Sequence, residues 1–391
     1  MKSLQFLTFG GGMTAIDLCL RWRDGETSIR HDGDLLLLGR EHASILKILG
    51  EDLEPINRDY FAGLHAKGDL PLIMNYYRAA QHGPIKREHL SRTRQHMGDD
   101  FVRRMYVHAQ GTFESLVRED EVDLVMALTQ SVIDFHLREF LSLEIHRELL
   151  HSLACFEDHF TMGLYLRPEA LDLYYGAASF RPHRDAFHSL VKQWRDKPSE
   201  TGPESDFLPV DLVYNFSLAG STNVAKGFVY GLQLLMEQGQ DREPPCAEAI
   251  LLELLRFLPL VDNHVVPCFV VRCPTRKARA WLAEAGYGDT GGHVYVFNAL
   301  QHADPQRFPN PGHFDPWRWP DTSSASNLMT FGVGAHACCG SRLAETWLRT
   351  LFDVWQSRFC LAAPLHIQSD PFVQSIPWAQ RMSSPTSLAF R

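Results

Sequence analysis

Residues 207–239, FLPVDLVYNFSLAGSTNVAKGFVYGLQLLMEQG, hold only Asp211, Lys226 and Glu237 as charged positions. No other stretch so narrows what the chain can fold into. The run is far longer than the average helix of about 11–12 residues, and a helix apolar on nearly every side must be enclosed by other protein. Gly220, Ser221, Thr222 and Asn223 interrupt it with small and polar residues. Those positions are where its backbone ladder can bend.

The 391 residues suffice for one large domain or two ordinary ones. No composition shift or repeat marks a boundary, so one domain over 1–391 is expected, mainly helical with a small β region (α+β). No stretch approaches the roughly 20 apolar residues of a membrane span. The N-terminus lacks the charged, apolar and small-residue pattern of a secretory signal. The eight cysteines show no disulfide-framework spacing, which suits a reducing compartment, and most are expected as small buried side chains. A net charge of −9 opposes general nucleic-acid binding. These features predict a cytoplasmic chain with neither membrane nor nucleic acid as partner.

Along the chain, 27–49 reads as a hairpin turning at Asp32-Gly33 and then a helix, and 52–83 as a long aromatic loop. Helical spacing recurs between 86 and 195, notably in 122–141 and 185–196. A helix at 246–257, a strand-and-turn region at 262–300 and a Pro- and Trp-rich meander at 304–320 follow. The predicted order is helices first and strands later.

The segment FGVGAHACCGSRLA (331–344) places adjacent cysteines behind glycines and before the helical pattern SRLAETWLRTLFDVW (341–355). Glycines at 332, 334 and 340 allow tight turns and close approach to a flat object. A cysteine at a helix N-terminus is favoured as thiolate by backbone N–H groups and the helix dipole. That arrangement suits a sulfur ligand to iron. Zinc is disfavoured because His336, Cys338 and Cys339 are too close in sequence to converge easily on one tetrahedron, and no Cys-x-x-Cys partner exists. Two ordinary buried cysteines on a turn are the bland alternative.

The segment resembles the haem-binding signature of the cytochrome P450 family, with Phe331, Gly332, Gly334, His336, Cys338, Gly340, Leu343 and Ala344 in register. The resemblance implies haem b, with Cys338 as axial thiolate, Phe331 shielding the sulfur and His336 reaching a propionate. ELLRF (253–257) is similar to the family's Glu-x-x-Arg helix, so Glu253 and Arg256 would pair, with Arg307 of the meander as third member. The nearly uncharged run at 207–239 falls where the family has its long helix over the distal haem face.

The chain also departs from the family pattern. At the helix kink, where the family usually has an acid followed by a threonine, AGSTNV (219–224) offers Thr222 and Asn223. Asn can order water but cannot supply a proton, so Ser221, Thr222, water or the substrate would have to; these polar residues, with Gly220, otherwise only cap the kink. A register one residue off would make Thr222 the alcohol. In EHLSRTRQHMGDDF (88–101), His89 with Arg92 or Arg94 are candidates for a propionate, without the usual spacing. His264 stands where an arginine is expected for the other propionate. The basic run in 272–292 reads as a solvated face.

The resemblance implies a bacterial-type monooxygenase acting on a small organic substrate, with electrons from a separate ferredoxin and ferredoxin reductase, plausible in specialised-metabolite biosynthesis. Arg92, Arg94, Arg103, Arg104 and Arg342 are candidates to face the donor. The substrate would lie among the haem, the 52–83 loop, Leu218 to Val224, Val265, Val266 and the turn at Ile376-Pro377. The missing acid motivates an alternative: a peroxygenase, isomerase, dehydratase or coupling enzyme. A non-catalytic haem-binding module is the remaining reading.

Overall fold

A computed structural model of the chain describes residues 28–31, 34–37, 53–54, 58–66, 70–71, 79–163, 175–196, 209–237, 245–257, 269–272, 276–284, 286–288, 293–296, 302, 305, 307–319, 328, 330–331, 337–361, 365, 368–369, 382–383 and 385–390. Helices dominate them. In order come β1 (Ser28–His31), β2 (Asp34–Leu37), β3 (Leu53–Glu54), α1 (Arg58–Ala66), α2 (Ala79–His96), α3 (Asp99–Leu116), β4 (Val122–Asp123), α4 (Leu124–Leu141), α5 (Arg147–Gly163) and α6 (Arg181–Arg195). Then follow α7 (Pro209–Val213), a π turn (Tyr214–Leu218), α8 (Ser221–Glu237), α9 (Ala247–Phe257), β5 (Phe269–Arg272), α10 (Arg276–Glu284), β6 (His293–Val296) and α11 (Ser341–Arg358). The chain closes with β7 (Phe359–Leu361), β8 (Gln368–Ser369), β9 (Met382–Ser383), β10 (Pro385–Thr386) and β11 (Leu388–Phe390).

The hairpin forms as its alternation predicts: His31 pairs with Asp34, leaving residues 32–33 as the connection. The rest of the sheet departs from the helices-then-strands order. Its sequence is β1-β2-β6-β5-β3, with β2 parallel to β6 and the other neighbours antiparallel. N-terminal strands therefore join strands from the far side of the helical region. The loop expected over 52–83 contains β3, α1 and the start of α2. The basic run at 272–292 contains α10, RKARAWLAE, whose apolar Ala278, Trp281 and Leu282 recur at helical spacing.

α4 starts where the Asp123 carboxylate accepts the Met126 N–H at 3.1 Å and ends at Ser142 in the left-handed region, φ 50°. It packs against α5 and α8. Phe113, Phe228, Phe352, Trp355 and Phe359 form an aromatic centre joining α3, α8 and α11. A second apolar cluster gathers Phe156, Phe160, Phe180, Phe187 and Tyr214 from α5, α6 and the π turn. As the lack of charge requires, α8 is enclosed: even Lys226 is buried, its ammonium 2.7 Å from the Asp158 carboxylate of α5. Among the described residues no helix is long and apolar enough to cross a membrane.

Candidate functional site

The nearly uncharged run is not one helix. Between α7 and α8 the Ala219 N–H reaches back five residues to the Tyr214 carbonyl at 3.0 Å, and Gly220 follows at φ +80°. Glycine adopts that conformation without a Cβ penalty. The Gly220 N–H finds its acceptor on another helix: Glu157 of α5, at 2.9 Å. The same carboxylate accepts the Tyr214 hydroxyl at 2.8 Å. Beyond the break, Ser221 and Thr222 are buried, and Thr222 Oγ1 and Asn223 Oδ1 have no hydrogen-bond partner among the described residues.

Cys338 stands just before α11, and its N–H donates to the Phe331 carbonyl at 2.8 Å, closing the loop. Burial raises its thiol above the ordinary value, against the Gly340 N–H, the Lys86 charge and the Ser341 N–H, which favour thiolate. Yet Cys338 is exposed by surface area. Cys339 is different: it packs against the second apolar cluster, and burial, reinforced by Cys338, pushes its thiol up to about 12. Of the two sulfurs, Cys338 is the one presented. Among the described residues the other cysteines are not the buried side chains expected either: Cys246 is exposed, and Cys155 and Cys360 are half-buried.

Two α2 residues reach this region. His89 is buried, stacks on Phe216 of the π turn at 4.5 Å, and is held to about 4 by burial. Its Nδ1 has no partner among the described residues. Lys86 donates to the Ala337 carbonyl at 2.7 Å, directly beside the cysteines. Sequence reasoning missed Lys86 because the contact spans 251 positions and no local motif announces it. Arg92 and Arg94 are not brought in with His89: Arg92 pairs with Glu88 of its own helix at 2.9 Å, and Arg94 is exposed. Gly332, Gly334, His336, His264, Val265, Val266, Ile376 and Pro377 lie outside the described residues. Gly340 precedes α11 and accepts the Ala344 N–H at 2.9 Å, while Phe331, Leu343 and Ala344 pack on the first apolar core.

Behind the loop, Glu253 and Arg256 are fully buried and paired twice, at 2.9 and 2.6 Å. Here Arg318 replaces Arg307 as the third cation. Its Nε is 3.1 Å from Glu253, because the short 3-10 turn at Pro316–Arg318 faces that carboxylate. Arg307 instead lies over the Phe308 ring at 5.3 Å. Trp319 Nε1 and the Asp315 N–H also donate to Glu253, each at 2.8 Å. Thr330, next to Phe331, donates to the Leu255 carbonyl, tying the cysteine loop to α9. The cleft lined by Arg138, Ser142, Leu143, Glu144, Gln193 and Asp196 contains none of these groups.

The cytochrome P450 family pattern matches residues 245–364, the span from α9 through the cysteine loop and α11. Over that span the chain carries the cytochrome P450 pattern. Cucurbitadienol 11-hydroxylase of Siraitia grosvenorii is 31% identical over 191 residues, covering 44% of this chain and 40% of that protein. Cytochrome P450 2C2 of Oryctolagus cuniculus is 24% identical over 266 residues, covering 59% of the chain and 50% of that protein. The chain thus spans half or less of the length of these curated relatives. Solved structures extend the likeness in fold to nearly the whole chain. Cytochrome P450EX alpha with myristic acid has a TM-score of 0.67 at 15% identity, over 96% of this chain and 95% of that one. A cytochrome P450 from Sulfolobus tokodaii gives 0.64 at 15% identity, over 96% and 100%.

That family implies a haem-thiolate cofactor, and the residues of this chain fit it. Cys338 offers an accessible sulfur with N–H groups behind it, while Thr222, Asn223 and His89 carry buried polar atoms unspent on protein. Cys338 would be the ligand, and Lys86 and His89 would serve the haem's carboxylates.

Proposed function

We propose that this chain is a P450 monooxygenase that inserts oxygen into a small organic molecule, using electrons from a separate donor. The observation that carries the reading is the contrast between the two cysteines, one packed and one presented, at the N-terminus of α11. The haem bound there supplies dioxygen activation, favoured by electron donation from the sulfur. The protein's part is positioning and proton supply. Lys86 lends positive charge beside Cys338, Gly340 and Ser341 aim N–H groups at its sulfur, and the Glu253 knot fixes the meander behind the loop. On the opposite side, the Thr222 hydroxyl can pass a proton and the Asn223 amide can order water.

A ferredoxin and its reductase are the proposed donors. Of the arginines considered for the docking face, Arg103 is paired with Asp100 and Arg104 with Glu139, which leaves Arg94 and Arg342 as the first positions to test.

The test is the absorption spectrum of the reduced, carbon-monoxide-bound protein. Wild type and Cys339→Ser should show the red-shifted thiolate band, and Cys338→Ser should lose it; loss in Cys339→Ser instead would overturn the ligand assignment. The absent kink acid favours a second reading, a peroxide-driven enzyme. Lys226 is the one cation in the nearly uncharged run, and it is occupied by Asp158. Turnover with peroxide but not with reduced ferredoxin would select that reading.

A further inference from the structure

Several hydroxyls within helices of this protein bond back to the carbonyl one turn earlier, whereas Thr350 turns to the Met105 sulfur. Thr112 bonds back to His108, Thr129 to Val125, Ser217 to Val213, Ser221 to Ser217 and Thr346 to Arg342. Thr222 does not, although it is buried. Its corresponding acceptor would be the Leu218 carbonyl, and Leu218 ends the π turn. Ala219, the next residue, has left the helical region with ψ 120°. Across the break the Ser221 hydroxyl still reaches Ser217, while the Thr222 hydroxyl has no partner among the described residues.

Glu157 spans that break. One oxygen takes the Tyr214 hydroxyl at the start of the π turn and the other takes the Gly220 N–H just after it. Without that carboxylate, the half-buried Gly220 N–H would need a new acceptor. Its ordinary helical acceptor is the Phe216 carbonyl. Taking it would anneal α7 to α8 and return the Leu218 carbonyl to Thr222.

We infer that Glu157 is a positioning residue for the distal side of the site: by bridging Tyr214 and Gly220 it holds the helix open and keeps the Thr222 hydroxyl available to what binds there. Its carboxylate braces from α5 a break whose own residues, 214–223, include no acid. The availability to a ligand rests on the haem reading above, whereas the brace itself does not.

The experiment is a double-mutant cycle on the haem-loaded protein, crossing Glu157→Leu with Thr222→Val and reading both thermal midpoint and ferric spin state. In wild type, Thr222→Val removes a buried hydroxyl with no protein partner, so the midpoint should hold or rise. In the Glu157→Leu background the hydroxyl has bonded back to Leu218, so the same change should lower the midpoint. The spin-state balance should respond to Thr222→Val in wild type and not in Glu157→Leu. Glu157→Gln retains an acceptor for Gly220 and should behave as wild type, which separates bracing from generic damage. If Glu157→Leu does not fold, Tyr214→Phe supplies the weakened brace and should shift both readouts partway.

Equal midpoint shifts in both backgrounds would overturn the brace. The predicted midpoint reversal without any spin-state response would overturn the positioning role. Loss of the thiolate band in Cys339→Ser rather than Cys338→Ser would overturn the ligand assignment and leave the midpoint cycle standing.

Discussion

Replacing Glu253 by Gln should be among the most damaging near-isosteric changes available to this protein. Four donors converge on the carboxylate, Arg256 Nε and Nη2, Trp319 Nε1 and the Asp315 N–H, between 2.6 and 2.9 Å, and the Arg318 guanidinium stands 3.1 Å away as a further positive charge. Every one needs an acceptor. The amide removes the charge and turns one oxygen into an NH2 that meets some of these donors head-on. Removing one partner of a buried ion pair costs about 3–5 kcal/mol, which is a large share of a total stability of roughly 5–15 kcal/mol. Arg256 adds a second constraint, because it also donates to the His302, Pro311 and His313 carbonyls. A buried pair can often be replaced by apolar residues at little cost; here Glu253→Leu with Arg256→Leu would strand those carbonyls and should not recover wild-type stability. Urea unfolding of the haem-loaded protein, followed by tryptophan fluorescence, gives the numbers. A loss below about 1 kcal/mol for Glu253→Gln, or full recovery in the double variant, would refute the reasoning.

Arg318→Ala should cost more than Arg307→Ala in the same assay, roughly 2 against 1 kcal/mol, since only the former is seen on the carboxylate. Gly231→Ala should lower the melting temperature, because the new Cβ would lie 2.5 Å from Phe352 Cζ. Overpacking costs about 1–3 kcal/mol, against a helix-propensity gain near 1 kcal/mol. His136 is held to about 4 in the fold, chiefly by burial, against a model-compound 6.5. With the folded value depressed, its stabilising contribution is complete above pH 6.5 and is lost as pH falls from 6.5 towards about 4. That amounts to roughly 3 kcal/mol, and His136→Gln should make the urea midpoint fall less steeply across this window, with buried His89, also held to about 4, still contributing. Trp347→Phe should cost about 1 kcal/mol, because it deletes the N–H given to His136.

The cysteine loop, Glu253-Arg256 and the enclosed helix were legible because each is a local pattern of residue type and spacing. The third cation was not. Arg307 and Arg318 both sit in a Pro-rich meander without periodicity, and only the 3-10 turn at Pro316–Arg318 decides which reaches Glu253. α1 was hidden because Arg58–Ala66 mixes aromatic and polar residues after a Gly- and Pro-containing stretch, and α10 because its charges drew attention from Trp281 and Leu282. Glu157 and Lys86 form their decisive contacts across 63 and 251 positions. Such pairings depend on packing, which periodicity does not encode.

Seen from α4, the two sides of the site are joined by a neutral chain. Trp347 of α11 donates to His136 Nε2 at 2.8 Å, so the imidazole proton is on Nδ1, which faces the Ser217 carbonyl at 3.3 Å. Ser217 belongs to the π turn, and Trp347 to the helix that follows Cys338. An imidazolium could not accept the tryptophan N–H, so this link needs the unprotonated form that burial favours. Charge stands around this strut rather than in it: Lys86 beside the cysteines, Glu157 at the break, Lys226 with Asp158 one helix over, and Glu253 with its arginines behind the loop. A site whose chemistry depends on charge appearing at its centre benefits from a central strut that contributes no ionised group, because a fixed charge there would act strongly through low-dielectric surroundings.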